Sequence, residues 1–178
     1  MNFAAGVTSQ IVSVNVAGNT AIEPTETFAV SLSNPTGHAS LGASTATGTI
    51  VNTVSQFSIA ALSAVNRQGA AGTTTPYTFT VTRTGYLGRA ETVNWSVVGS
   101  GTNPADASDF VGNRLPRGSI GFAAGVSSMV LTVNVAGDAT PEQTEMFEVH
   151  LSRPGGNAIL GTAAATGAIM GTLAPTPS

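Results

Sequence analysis

The chain has 178 residues, a net charge of −3 and no cysteine. That length leaves room for one or two domains, and the missing thiols exclude disulfides, thiolate metal sites and a cysteine nucleophile. Charged residues make up 8% and lysine is absent, against roughly 25% charged in ordinary soluble domains, so a phosphate-binding or nucleic-acid surface does not fit.

In chain order, the opening "MNFAAGV" lacks the basic region and long apolar core of a signal peptide. An exported form would carry its signal outside this sequence. "SQIVSVNV" (9–16) alternates like a strand, "EPTETF" (23–28) places Glu23 and Glu26 ahead of an apolar run, and "TATGTI" ends the stretch at residue 50. Further strands follow at 56–64, 77–83, 91–97, 119–122, 128–135, 146–152 and 166–170. "YTFTVTR" sets Tyr77, Phe79 and Val81 on one face, "ETVNWSV" sets Val93, Trp95 and Val97, and "MFEVHLS" turns Phe147, Val149 and Leu151 inward. Period-two alternation with one apolar face marks half-buried antiparallel strands. About seven of them, separated by turns, predict an all-β two-sheet sandwich. No apolar run approaches the ~20 residues needed for a membrane-spanning helix.

An internal repeat organises these elements. Residues 3–50 match residues 122–169 without a gap, at 27 of 48 positions and an offset of 119. The spacing predicts the second half of one repeat over 1–52, a complete repeat over 53–171, and a Pro-rich tail over 172–178.

The blocks "TPYTFTVTRTG", "DASDF", "GSIGFAAGVSSMVLTVNVAGD" and "EQTEMFEVHLSRPGG" resemble, in order and spacing, the Calx-beta repeat of sodium/calcium exchangers, an integrin beta chain and large bacterial surface proteins. The resemblance implies an immunoglobulin-like Greek-key β-sandwich with calcium held by carboxylates at one end. It also implies an extracellular or cell-surface setting in which repeats serve adhesion or spacing. Carried over position by position, the family's acidic residues are matched by Asp109, Asp138, Glu142 and Glu145. Gly137 replaces the first member of an Asp pair, Gln68 stands in place of an early Glu, and the Asp run after the last strand is missing. In the half repeat, Glu23 and Glu26 match, but the Asp pair becomes Gly18 and Asn19.

Calcium takes six to eight oxygens, several of them usually carboxylates. Four acids suffice for one site of modest affinity, with backbone carbonyls and water completing it, and not for a multi-ion cluster. Glu23 and Glu26 read as a remnant. The blander reading is that such loop carboxylates cap turn amides and keep a sandwich end soluble. A calcium-sensing regulatory module and a purely structural repeat are the alternatives to an adhesion or spacing module.

No catalytic constellation emerges. His38 and His150 occupy non-equivalent repeat positions. There is no nucleophile elbow and no histidine pair at zinc-ligand spacing. Trp95, on an apolar strand face, reads as core. The half repeat 1–52 carries three expected strands without their partners, too little to bury a stable core. It is expected either to stay loose or to pair with a second copy of the chain, as a homodimer or by strand exchange; separately, an unidentified protein or surface ligand is the expected partner of the module.

Overall fold

The structure, a computed structural model, describes residues 1–171. The Pro-rich tail expected at 172–178 lies outside the described residues. The chain divides into two compact units, Met1–Val51 and a second that begins at Asn52.

The first unit holds one antiparallel pair, β1 (Glu26–Ser31) with β2 (Thr45–Ile50), in a register that sets Phe28 opposite Gly48. The strand expected at 9–16 does not form. Ile11 is 93% exposed, and Val12, Val14 and Val16 are about half exposed. The reason lies in strand pairing. A strand needs a neighbour for its backbone N–H and C=O groups, and residues 1–51 contain no segment equivalent to the one that pairs with the matching stretch of the second unit.

The second unit is a sandwich. Its strands are β3 (Ser55–Ser63), β4 (Val65–Arg67), β5 (Thr74–Gly85), β6 (Glu91–Ser100), β7 (Arg117–Phe122), β8 (Ser128–Ala136), β9 (Glu145–Ser152), β10 (Ile159–Leu160) and β11 (Ala164–Met170). One sheet runs β10-β3-β5-β8 and the other β4-β11-β9-β6-β7. The single first strand expected at 56–64 is two. At the buried Ala64 the chain leaves the first sheet, and β4 joins the second, parallel to β11. Every strand predicted in this unit is present, and the added pieces, β4 and β10, are short strands that pair in parallel at the sheet margins.

The alternation read from the sequence places the core. Tyr77, Phe79 and Val81 of β5 are fully buried, as are Val93 of β6, Val135 of β8 and Val149 of β9. Phe147 is the hub, with Tyr77, Phe79 and Phe110 rings at 5.7, 6.0 and 5.5 Å, all edge-on. Burying one such side chain contributes about 1.5–3 kcal/mol. Trp95 is partly buried against this cluster, as its strand position predicts.

The inward series of β5 continues one step further, to Arg83, which is 1% exposed. Its guanidinium donates to the carbonyls of Arg89 (2.9 Å) and Ala123 (3.0 Å) and lies 3.7 Å from the Glu91 carboxylate. The Phe122 ring sits under it at 5.6 Å. Glu91, also buried, takes a second ion pair from Arg89 at 2.8 Å and a hydrogen bond from the Ser55 hydroxyl. This cluster closes one end of the sandwich. The apolar face read from the sequence, Tyr77, Phe79 and Val81, stops short of Arg83 and gives it no part in the core.

Candidate metal centre

The other end of the sandwich gathers acids. After β6 the chain is tied to the start of β9 by two backbone bonds, Met146 N–H to Asn103 C=O and Ala105 N–H to Met146 C=O, both 2.9 Å. A single 3-10 turn follows, Ala107–Asp109. Asp106 caps it by accepting from the Ser108 N–H at 2.7 Å, while Asp109 Oδ2 accepts from the Asp106 N–H at 2.6 Å. This reciprocal cap fixes the carboxylate of Asp109, and the next residue, Phe110, anchors the turn in the core against Phe147. Asp109 is thereby held at 5% exposure.

Across from it, Glu142 lies in the β8–β9 loop and Glu145 is the first residue of β9, paired with Ile169. Asp109, Glu142 and Glu145 each place a carboxylate oxygen so that all three oxygens lie within 4.8 Å of one another. Glu142 Oε2 and Glu145 Oε2 are buried and accept no hydrogen bond, and the buried Gln68 Nε2 donates none. Among the described residues, ion pairs involve Arg83, Arg89 and His150, and none reaches these acids.

Unneutralised acids this close raise one another's proton affinity. Burial, followed by the charge of Asp109 and a hydrogen bond with it, pushes the Glu145 carboxyl up from 4.5 to about 7. Glu142 is also raised, first by burial, then by the charges of Asp138 and Asp109.

Four of the expected ligand positions thus separate into three and one. Asp109, Glu142 and Glu145 converge. Asp138 is exposed, and its Oδ1 accepts the Thr140 N–H at 2.8 Å in a local turn. It acts on Glu142 through its charge and is not part of the converging triad. Asp106, quoted in "DASDF" but not singled out, adds a fifth negative charge felt by Glu142 and Glu145. Its position three residues before Asp109 is the signal that identifies it, since that spacing is a capping box.

The departures from the family's acidic pattern also have structural reasons. A Cβ at Gly137 would press into the carbonyl oxygens of Gly69 and Ala70, because the 69–73 turn is bonded onto it through Gly137 N–H to Thr73 C=O at 2.9 Å. No aspartate fits there while that turn stands. Gly171 packs against the backbone of Glu142 and Gln143, so the residue that follows β11 does reach the carboxylate loop, but without a side chain. Glu23 and Glu26 sit exposed in the first unit, where Asn19 Nδ2 donates to Glu23 at 3.1 Å.

The sequence profile described as "Calx-beta domain" matches residues 1–57 and 62–171. Among solved structures, the chain is similar to the apo-form Calx CBD1 domain (TM-score 0.52, 19% identity, 65% of this chain and 96% of that one). It is also similar to CBD12 from CALX1.2 (TM-score 0.51, 18% identity, 65% of this chain), of which it covers 44%. At these identities the likeness concerns the fold. No curated protein sequence matches the chain.

Proposed function

The chain belongs to the Calx-beta family, and on that premise we propose that its complete repeat is a non-catalytic module that binds one calcium ion through Asp109, Glu142 and Glu145. The observation that carries this reading is the pair of buried, unpartnered oxygens on Glu142 and Glu145 beside the fixed carboxylate of Asp109. Two oxygens bound to one calcium at 2.3–2.6 Å are at most about 5 Å apart, and all three here satisfy that limit at 4.8 Å. A hard dication in this position would supply charge neutralisation and no redox chemistry. Asp106 and Asp138 would strengthen the local field, while backbone carbonyls and water complete the shell.

Three carboxylates with two more at a distance support one ion and not several. The module is then suited to a mechanical part in a longer extracellular or cell-surface protein, for adhesion or spacing, with calcium stiffening the end of the sandwich. The test is calorimetric titration of the purified protein with calcium, alongside Asp109→Asn. One site per chain is expected in the parent protein, with at least tenfold weaker binding in the variant. Absence of heat and of any thermal shift at millimolar calcium would overturn the reading.

A further inference from the structure

Residues 3–50 keep the surface that residues 122–169 use to close their sandwich. The β1–β2 register, from Glu26↔Ile50 to Ser31↔Thr45, is the same, pair for pair, as that of β9–β11, from Glu145↔Ile169 to His150↔Ala164. Phe28 lies over Gly48 as Phe147 lies over Gly167, each glycine leaving room for the ring across from it. Val14 and Val16 stand where Val133 and Val135 do, at the 119-residue offset. In the complete repeat these positions are covered by the first half of the repeat, since β8 pairs with β5 over nine positions and β9 with β6 over seven. In the half repeat Val14 and Val16 are 50% and 53% exposed.

The chain holds two second halves, 3–50 and 122–169, and one first half, 53–121. Exchange between identical copies moves the surplus second half from chain to chain and never removes it. Closure within one chain fails on distance as well. In the complete repeat the strand end Met170 lies beside Arg67, at the far end of the β3–β4 run from Ser55. At ~3.3 Å per residue that run spans roughly 35–40 Å, whereas the three residues between Val51, the counterpart of Met170, and Ser55 reach about 14 Å.

We propose that residues 3–50 form a docking surface for the first half of a Calx-beta repeat, a segment with the chemistry of residues 53–121, supplied from outside residues 53–178. Its Tyr77- and Phe79-type side chains meet Phe28, Val14 and Val12, as Tyr77 and Phe79 meet Phe147, Val133 and Leu131 in the complete repeat, and its β5-type strand pairs with 9–16, which then becomes a strand. The acids follow the same division. Asp109 belongs to the first half and Glu142 and Glu145 to the second, so docking also brings an Asp109-type carboxylate to Glu23 and Glu26. This last step rests on the calcium reading of the complete repeat.

The experiment appends a copy of residues 52–121 directly before Phe3 of the full chain and follows amide hydrogen exchange at Val12, Val14 and Val16 with and without calcium. Docking predicts at least a hundredfold slower exchange at these amides than in the unextended chain, and loss of that protection when the appended copy carries the Phe79→Asp change. Exchange at the unextended rate, or protection that survives Phe79→Asp, overturns the proposal. So does an unextended chain in which these amides are already protected in a dimer seen by light scattering, because a second copy then covers the face. Protection that does not respond to calcium upholds docking and counts against the calcium reading alone.

Discussion

On the proposed calcium reading, calcium and a proton compete for Glu145, and the size of that competition follows from the structure. The carboxyl is raised to about 7 by burial and by Asp109, so at pH 5.5 it is almost wholly protonated and at pH 7.5 largely ionised. A ligand must be deprotonated before a cation binds. For one titrating group the apparent affinity scales with its ionised fraction, which makes binding about 25-fold weaker at pH 5.5 than at pH 7.5. Glu142, also raised, steepens the effect. Titration calorimetry at the two pH values reads the ratio directly, and buffers of different ionisation enthalpy reveal the released proton. In Glu145→Gln the ratio should fall, since the carboxyl that competes most strongly for a proton is gone. Without calcium the same group acts on stability in the opposite sense. Its folded value lies above its unfolded value of 4.5, so its contribution is most favourable below pH 4.5 and is lost as the pH rises through about 7. A parent protein whose calcium affinity changes less than threefold between pH 5.5 and 7.5 refutes the assignment of Glu145 as a buried ligand.

Other perturbations test the frame that holds this site. Phe147→Ala should cost about 3–5 kcal/mol in urea unfolding of the second unit, because the ring packs on Tyr77, Phe79 and Phe110. Phe28→Ala, the same position in the half repeat, should cost under about 1 kcal/mol, since a partly exposed ring leaves no closed cavity. Glu91→Gln should cost about 3–5 kcal/mol, leaving the buried Arg83 without its counter-charge, and differential scanning calorimetry should show the drop without any change in calcium titration. Gly137→Asp restores the family's acid in sequence yet should lower stability by about 1–3 kcal/mol and add no calcium affinity, because its side chain meets the carbonyls of Gly69 and Ala70.

Strand positions were legible because period-two alternation is a property of each segment alone: β5, β6, β8 and β9 lie where it places them. The failure at 9–16 has the same origin. That segment alternates as well as its counterpart at 128–135, but a strand is completed by its neighbour, and no local pattern reports a neighbour's absence. The acids divide likewise. Glu142 and Glu145 are legible as a pair because they are close in sequence, and Asp109 joined them only through the resemblance. That Asp138 turns away to its own loop amide, and that Asp106 caps the turn carrying Asp109, depends on side-chain directions within loops. Alternation does give the inward direction of Arg83, two positions after Val81. What it cannot give is the partner, since Glu91 comes from another strand of another sheet.

The two ends of the sandwich solve one electrostatic problem in different ways. Each buries carboxylate. At the Arg83 end, Glu91 is matched by two guanidiniums and a hydroxyl from the chain itself, so its charge is offset from within the fold. At the other end, some 30 Å along β5 at ~3.3 Å per residue, Asp109, Glu142 and Glu145 receive no arginine among the described residues. Two oxygens there stay buried without a donor. Such a site is satisfied by a proton or by an external cation, and both are exchangeable. One end is therefore set by the sequence and the other by the medium, and under the proposed reading the carboxylate end is where the rigidity of this module would respond to calcium. Because Asp109 and the two glutamates come from opposite halves of the repeat, a cation held there resists separation of the halves. That is the property the proposed spacing role would draw on.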